Sequence, residues 1–433
     1  MSNMKTILSL LLVLAVQFVH AQKNTWSLQE CINAGLENNI AVKIQKLEVK
    51  RTQKSRISIL NELLPSISLS GSHSYNFGST IDPGTNARVS SNILYDNFSM
   101  NAQMNLLDFS AIANSQKSKI GIELAKAEQE IIENEYKLQI LESFYQALFT
   151  QELVEIQKQQ LENTRFNLNR ITKEIEIGSK PKSDLYDIQF AFAQEEKQLL
   201  ETIQLFEIQI SQLFQLLNYS EAVKTDIKLE NTFAEIQSNQ SEVIHPKIKW
   251  AQLYFKSAKN ELKAQQAQKL PLLSTFYQLS SFYYKPLTQS GGTIESFSNQ
   301  MGNNKNQQLG LQLSIPVFNG FKNNRLVQAA KIDIEKSNLK LEKERLLVQQ
   351  QLEIESKNEA NYLLIKEKLA QMLQLAQASF KTTQAKFASG SVDAFSFSSA
   401  KNNLLSSEYA FLKNKLQSQF TVCKIKLIQK NDL

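Results

Sequence analysis

The sequence is poor in residues that interrupt regular secondary structure or bind metals. Only 12 glycines and 7 prolines occur among 433 residues, and such low counts are typical of a chain made mostly of long helices. Three histidines and two cysteines are too few and too scattered to predict a metal cluster. The sequence also lacks a glycine-rich phosphate loop and a nucleophile motif. We therefore expect neither an enzyme nor a cofactor or metal site.

Long hydrophobic runs are absent after residue 21. Residues 1–21 have the pattern of a secretory signal peptide, with Lys5, an apolar run from Ile7 to Val19, and Ala21 before the cleavage position. No later stretch of eighteen apolar residues predicts a membrane-spanning helix. The net charge is only +6, and basic and acidic residues alternate along helices, so nucleic-acid binding is not predicted.

One continuous helical stretch stands out. Residues 109–177 contain no proline and a single glycine, Gly121, and their apolar residues recur at intervals of three and four. The first such positions are Ile120, Leu124, Ala127, Ile131, Leu138, Leu141, Tyr145 and Leu148. The pattern predicts a helix roughly 100 Å long, which is typical of coiled coils rather than of compact globules.

Alternating segments precede the long helix. Residues 66–77 alternate serine with apolar residues, and residues 97–107 alternate Asn, Ser and Gln with apolar residues. An uncharged polar face opposite an apolar face favours a strand with one side in lipid and the other lining a water-filled lumen. The residues predicted to face the lumen are Ser66, Ser68, Ser70, Ser72, Ser74, Asn101, Gln103, Asn105, Gln312 and Ser314.

The chain has the pattern of an internal duplication. Gly178 and Gly390, each predicted to end a long helix, are 212 residues apart. We predict a first repeat over 22–218, a connector over 219–245 and a second repeat over 246–433. The expected order is a helix from Ser27 to about Leu64, strand hairpin 66–107, long helix 109–177, return helix 182–218, helix 246–270, strand hairpin 272–317, long helix 319–389 and last helix 392–429.

Four strands are too few to close a barrel in a membrane, where unpaired edge amides each cost several kcal/mol. Several copies must therefore combine their strands. Two copies would supply eight strands and three would supply twelve, and only the larger ring leaves a wide aqueous lumen.

The mature chain resembles the TolC-like outer-membrane efflux protein family over almost its whole length. The resemblance rests on the strand-to-helix junctions Leu107-Asp108-Phe109 and Val317-Phe318-Asn319-Gly320, the helix start His245-Pro246, and Gly178 followed by Asp184. It implies a mainly α-helical fold with transmembrane β-strands, in which a homotrimer forms a twelve-stranded barrel above a periplasmic helical tunnel. It further implies an outer-membrane channel that works with a periplasmic adaptor and an inner-membrane pump.

The resemblance also points to the helix ends. Members of the family carry carboxylates near these turns that narrow the entrance, and Asp184 and Asp187 follow Gly178 at matching intervals. The second repeat has Ser396 and Ser399 instead, where the relatives carry the acids. The two aspartates are therefore candidates for a gate, and equally for residues favoured by the helix dipole. The turn residues Gly178, Ser179, Gly390 and Ser391 are the expected adaptor-docking ends.

Three questions stay open on the sequence. Cys31 and Cys423 lie near opposite ends of the chain and either pair in an oxidising compartment or remain buried free thiols. The cargo is either small molecules or, in an exit duct, secreted polypeptides, because the pump selects it. The alternative to a channel is a soluble periplasmic coiled-coil scaffold or adaptor, which would be expected to carry charges on its strands.

Overall fold

The computed structural model describes residues 25–81, 86–90, 92–219, 227–232, 243–287 and 295–431. Its helices are α1 (Leu28–Asn38), α2 (Ile40–Lys54), α3 (Ile59–Glu62), α4 (Phe109–Glu176), α5 (Lys182–Leu216), α6 (Pro246–Ala267), α7 (Phe297–Asn303), α8 (Lys322–Ala388) and α9 (Ala394–Lys430). Its strands are β1 (Thr25–Ser27), β2 (Ser66–Asn76), β3 (Ser79–Ile81), β4 (Arg88–Ser90), β5 (Ile93–Leu107), β6 (Lys228–Glu230), β7 (Leu272–Pro286) and β8 (Asn306–Ser314).

The predicted signal peptide and most of the predicted connector lie outside the described residues. Residues 82–85 and 288–294, within the two predicted strand hairpins, lie outside them as well. The part of the chain that is described contains no helix with the length and hydrophobicity needed to cross a membrane.

The chain forms two compact units that each draw on several segments. The first unit contains Met1–Leu47, Ala127–Lys249 and Glu344–Leu433, and the second contains Glu48–Lys126 and Trp250–Lys343. The regular elements among the described residues of the first unit are helices and two short strands, β1 and β6, which pair in parallel. The second unit holds the four long strands.

The first helix begins as expected but is not continuous. The Ser27 hydroxyl accepts a hydrogen bond from the Glu30 backbone N–H at 3.4 Å, and the Ser27 N–H donates to the Glu30 carboxylate at 2.9 Å, which completes the predicted capping box. The prediction of one helix to about Leu64 is wrong, because α1, α2 and α3 are separate. Asn39 is extended, and its side chain accepts from the Val42 N–H at 3.0 Å, so it ends α1 and caps α2.

The two long helices lie close to their expected positions. Helix α4 has 68 residues and begins after Asp108, whose carboxylate accepts from the Ala111 N–H at 3.0 Å. Helix α8 has 67 residues but begins at Lys322, three residues later than predicted. Gly320 and Phe321 both have positive φ, 61° and 60°, which a right-handed helix excludes.

The four long strands form an antiparallel sheet in the order β2-β5-β7-β8. Strands β5 and β7 lie in the middle, so the two predicted strand hairpins join along their inner edges. The loop expected between β2 and β5 is not entirely irregular, because β3 and β4 pair within it as a small hairpin. At the end of β5 that leads into α4, the pairing register between β5 and β7 shifts between Asn105 and Leu107.

The first unit has two apolar clusters along its helices. The larger cluster joins α1, α4, α5 and α9 and includes Ile140, Leu148, Leu213, Phe214 and Leu416. The smaller cluster lies nearer the glycine turns and includes Ile171, Ile188, Phe387 and Phe397. Both are built from residues that repeat every three or four positions, as the sequence pattern predicts.

Buried polar residues occur on α4 and α9 between these clusters. The Lys401 ammonium, with only 4% of its side chain exposed, contacts the Glu195 carboxylate at 2.6 Å and the Gln160 carbonyl at 2.7 Å. It also donates to the Thr164 hydroxyl. These contacts connect α4, α5 and α9 through a paired charge, since an unpaired buried ammonium would be strongly destabilising. Burial lowers the pKa of Lys401, and the charge of Glu195 partly opposes this.

Gly35 provides a test of the packing in the larger cluster. A Cβ at this position would lie 2.7 Å from Ile140 Cδ1 and 3.0 Å from Leu217 Cδ2. We expect Gly35→Ala to lower the free energy of unfolding by about 1–2 kcal/mol, because overpacking exceeds the gain in helix propensity. The measurement is denaturant unfolding of the detergent-solubilised protein. Gly121→Ala is the control, since no neighbouring atom lies within 4 Å of its added Cβ, and a stability loss as large there would contradict this explanation.

His245 should make stability depend on pH. It is buried, and its Nδ1 accepts a hydrogen bond from the Lys247 N–H at 3.2 Å. Burial, assisted by the charge of Lys247, lowers the pKa of His245 from 6.5 to about 4. Its stabilising effect is therefore complete above pH 6.5 and is lost as the pH falls towards 4, by about 3 kcal/mol.

The expected result is that His245→Asn reduces the loss of thermal stability between pH 7 and pH 5, measured by circular dichroism in detergent. An unchanged difference between the two pH values would show that His245 does not take up a proton on unfolding.

Candidate functional site: the faces of the sheet and the ends of the helical hairpins

The strand register brings the predicted lumen-facing residues onto one face of the sheet. Residues directly opposite each other on antiparallel strands project to the same side. Ser66 lies opposite Gln103, and Ser68 lies opposite Asn101. The register of the remaining pairs extends this side across all four strands. We call it the polar face, and its members are Ser66, Ser68, Ser70, Ser72, Ser74, Asn76, Ile93, Tyr95, Asn97, Ser99, Asn101, Gln103, Asn105, Leu272, Ser274, Phe276, Gln278, Ser280, Phe282, Tyr284, Pro286, Asn306, Gln308, Gly310, Gln312 and Ser314.

The polar face carries no charged side chain among these strand residues. Its hydroxyl and amide groups bond to one another and to the backbone: the Ser70 and Ser99 hydroxyls lie 2.7 Å apart, and the Ser66 hydroxyl donates to the Gln103 carbonyl at 3.3 Å. Such a surface can be hydrated without holding a strong electrostatic potential of either sign.

The opposite side of the sheet, which we call the apolar face, is largely hydrophobic. Leu69, Leu309 and Leu311 are 81%, 78% and 70% exposed. The other apolar members are Ile67, Tyr75, Leu94, Phe98, Met100, Ala102, Met104, Leu107, Leu273, Tyr277, Leu279, Tyr283 and Leu313. A contiguous exposed apolar surface of this kind marks contact with a membrane or a partner.

Charged groups occur on the apolar face near one end of the sheet. His73 Nδ1 and Asp96 Oδ1 are 2.5 Å apart, and His73 packs edge-on against Tyr75. Lys285 lies on the same face, two residues after Tyr283 on β7 and opposite Leu94 of β5. These polar side chains therefore lie at the end of the apolar face that also carries Tyr75 and Leu94.

The residues predicted to face the lumen do not include four aromatic residues that the register places on the polar face. Phe276 lies over Gly310. A Cβ added at Gly310 would lie only 2.7 Å from the Phe276 ring, so glycine leaves room for this ring. Tyr95, Phe282 and Tyr284 lie together near the end of the sheet that also carries His73 and Asp96. Their positions in the sequence do contain a signal, because Tyr95 is in phase with Asn97 and Tyr284 is in phase with Ser280.

The outer strands of the sheet, β2 and β8, each pair with one neighbour within the chain. Both are highly exposed along their lengths. Because the four strands alternate in direction, β8 of one copy and β2 of another can pair antiparallel, with the polar faces of both copies on the same side. The sheet is thus open at both edges in a single chain.

The two helical hairpins end in matching turns. Gly178 and Gly390 have φ of +76° and +74°, a conformation that favours glycine. In each turn the next residue, Ser179 or Ser391, donates its N–H to a carbonyl five residues earlier at 2.8 Å. All four turn residues are exposed, so they are available to a partner.

The carboxylates near these turns differ in their surroundings. Asp184 lies in the first turn of α5, and its carboxylate is 3.6 Å from the Lys180 ammonium, with both side chains mostly buried. Asp187 is exposed. In the second repeat, Asp393 accepts a hydrogen bond from the Ser396 N–H at 2.8 Å and caps α9. Hydrogen bonds from Ser396 lower the pKa of Asp393.

Phe387 connects the two hairpin ends, which the sequence pattern did not indicate. Its ring stacks on Phe397 at 4.6 Å between centroids. The Arg170 guanidinium and the Lys180 ammonium lie 4.8 Å and 4.6 Å from the Phe387 centroid. Arg170 also donates to the Phe387 carbonyl at 3.2 Å. Cation–π contacts of this kind fix the end of one hairpin against the other.

Both cysteines are buried free thiols in the structure, which is the second of the two alternatives left open by the sequence. Burial raises the pKa of Cys31 to about 12 and also raises the pKa of Cys423. The Tyr145 hydroxyl lies 3.9 Å from Cys423 Sγ. Thiols held in the protonated form react slowly.

Comparisons with known proteins support the same assignment. The family profile described as "Outer membrane efflux protein" matches residues 31–219 and 238–425. No curated protein sequence matches the chain.

Solved structures share the fold at low sequence identity. The outer membrane protein VceC of Vibrio cholerae has a TM-score of 0.72 at 14% identity, covering 93% of this chain and 95% of its own. The CmeC outer membrane channel of Campylobacter jejuni has a TM-score of 0.72 at 14% identity, covering 93% and 85%. The open state of the MtrE outer membrane channel of Neisseria gonorrhoeae has a TM-score of 0.71 at 13% identity, covering 93% and 88%.

The profile match covers most of the chain, and the fold and the two-faced sheet agree with it. The chain therefore belongs to the outer membrane efflux protein family and is an outer-membrane channel protein with the TolC-like fold.

Proposed function

We propose that three copies of this chain close a twelve-stranded barrel in the outer membrane and pass small molecules from the periplasm to the exterior. The observation that carries the proposal is the sheet with one uncharged polar face, one apolar face and two open edges. In lipid, open edges leave backbone amides unpaired, so β8 of each copy pairs with β2 of the next. The polar face then lines the lumen and the apolar face contacts lipid.

The height of the apolar band supports this orientation. Leu273 and Tyr283 bound the band on β7 and are ten residues apart, or roughly 34 Å along a strand. A tilt of about 40° reduces this to roughly 26 Å, close to the ~25 Å apolar band of outer-membrane barrels. His73 and Asp96 then lie at the lipid–water boundary, where polar side chains are tolerated.

The helices supply a second surface for self-association. On α8, the buried positions Val327, Ala330 and Leu341 face the interior of the chain, whereas Ile332, Leu339 and Leu346 are exposed at intervals of seven. A helix that is apolar on two sides packs against neighbours on both. We assign the second neighbour to another copy of this chain, as required by a closed ring.

Leu339 provides a test of that interface. Leu339→Glu should reduce the trimer that survives in detergent, because it introduces a charge at a position 64% exposed in the single chain and buried in the ring. The measurement is native mass spectrometry, with Asn338→Glu as the matched control one residue away. An equal trimer fraction for both variants would place Leu339 outside the interface.

The hairpin ends are the proposed docking site for a periplasmic adaptor that joins the channel to an inner-membrane pump. The exposed turns at Gly178, Ser179, Gly390 and Ser391 are held together by Phe387, so they present one defined surface. The cargo is selected by the pump in this scheme. Small-molecule efflux is preferred over polypeptide export because the family profile describes efflux proteins.

Asp187 and Asp184 are the proposed gate residues at the same end. Asp187 is exposed and would form a ring of three carboxylates in a trimer, which binds cations. Asp184 is paired with Lys180 within the chain, so we assign it a supporting role. The alternative is that both residues only favour the start of α5.

Single-channel recording distinguishes these roles. We expect Asp187→Asn combined with Asp184→Asn to weaken block by a trivalent cation about tenfold, since the ring loses its charge. Asp393→Asn, at the other hairpin end, should leave block unchanged because asparagine also caps a helix. If the trivalent cation blocks the double variant at the same concentration as the parent channel, the two aspartates are helix-start residues and not a gate.

A further inference from the structure

Three aromatic side chains form a patch on the polar face, next to Ile93 and Pro286 at one end of the sheet. The Tyr95 and Phe282 rings are stacked with centroids 5.7 Å apart, and Tyr284 lies 6.5 Å from Phe282. All three are partly exposed, so ring surface remains accessible. We call Tyr95, Phe282 and Tyr284 the aromatic patch.

The backbone beneath the aromatic patch is fixed by side chains from α7 and from Asn304, the residue that follows it. Strand β8 pairs with β7 only as far as Ser280, so β7 beyond that residue lacks this neighbour. The side-chain amide of Gln300 replaces it: its Nε2 donates to the Tyr284 carbonyl at 3.1 Å, and its Oε1 accepts from the Tyr284 N–H at 3.0 Å. Asn304 Nδ2 donates to the Phe282 carbonyl at 2.9 Å.

Packing on the reverse side adds to this support. Phe297 of α7 contacts Tyr283 and Phe98 on the apolar face, with centroid distances of 5.3 Å and 6.2 Å. The aromatic patch is thus held on both the edge and the back of the sheet. A site whose rings are positioned before binding loses little entropy when a ligand arrives.

The charges around the aromatic patch decide which ligand it fits. Aromatic ring faces attract cations, and the attraction weakens where a fixed positive charge competes. The described strand residues of the polar face include no charged group, and the nearest strand charges in sequence, Asp96 and Lys285, project to the apolar face. A cation at the described strand positions of the polar face therefore meets electron-rich rings and no positively charged side chain.

We propose that the aromatic patch is a binding site for cationic aromatic solutes, one per copy. It lies near the end of the barrel that is farther from the points where the strands join the helices. The inference rests on the proposed function for its position in a lumen. The ligand class combines a delocalised positive charge with planar or aryl groups, because both ring stacking and cation–π attraction are available. An uncharged aryl solute can only stack on the rings, and a compact alkyl cation can make only the cation–π contact, so we expect both to bind more weakly.

Direct binding to the detergent-solubilised protein tests the site independently of channel activity. The probe is tetraphenylphosphonium, followed by equilibrium dialysis, with tetraethylammonium as a cation that lacks aryl groups. We expect saturable binding of tetraphenylphosphonium and much weaker binding of tetraethylammonium. The variants Phe282→Leu and Tyr95→Leu should together weaken tetraphenylphosphonium binding about tenfold, because leucine keeps an apolar side chain but removes the ring.

Tyr283→Leu is the matched control, since Tyr283 is adjacent in sequence and lies on the apolar face. Phe282→Tyr, which keeps a ring, should retain the affinity of the parent protein. Equal weakening by Tyr283→Leu, unchanged binding in the double leucine variant, or no saturable binding by the parent protein would each overturn the proposal.

Single-channel block in planar bilayers separates this inference from the proposed function. The expected result is that tetraphenylphosphonium blocks the parent channel and that the double leucine variant requires about tenfold more. A protein that binds the probe but forms no conducting channel would contradict the proposed function and leave the site intact. Conducting channels with identical block in parent and variant would contradict the site alone.

Discussion

The need to pair every backbone amide at the edges of the sheet is the constraint from which the rest follows. A four-stranded sheet with an apolar face cannot remain in lipid with β2 and β8 unpaired, because each unpaired amide costs several kcal/mol. Closure by further copies is the solution compatible with four alternating strands. In such a closed ring the long helices that extend from the strands follow the same symmetry, and the exposed apolar residues of α8 are the proposed contacts between copies.

Within the chain, polar contacts maintain the positions that closure requires. The Lys401–Glu195 pair connects three helices between the two apolar clusters, and the Phe387 ring joins the two hairpin ends through Arg170 and Lys180. Gln300 performs the same function in the sheet, where its amide substitutes for a missing strand. In each case a buried or aromatic group replaces contacts that regular secondary structure does not provide.

Much of the fold could be predicted from sequence because periodicity is a local property. The 3.6-residue pattern located α4 and α8, and the two-residue alternation located β2, β5 and β8 and separated their faces. The break at Asn39 and the late start of α8 were missed, because a single side-chain cap or a positive φ leaves no periodic signal. The Phe387 contacts depend on tertiary packing, which a single sequence does not encode locally. The Asp184–Lys180 pair, in contrast, spans only four residues. Whether Asp184 and Asp187 form a gate stays a prediction.

Pairing between β8 and β2 of different copies is the central claim, and cysteine cross-linking in intact outer membranes tests it most directly. A cysteine at Gln312 would be combined in turn with one at Ser66, Ser68, Ser70 or Ser72, all on the polar face. The buried thiols of Cys31 and Cys423 do not compete. Oxidation should give a covalent trimer for one or two adjacent positions and not for the others. Cross-links confined to single chains, or none at any position, would contradict a barrel closed by these edges.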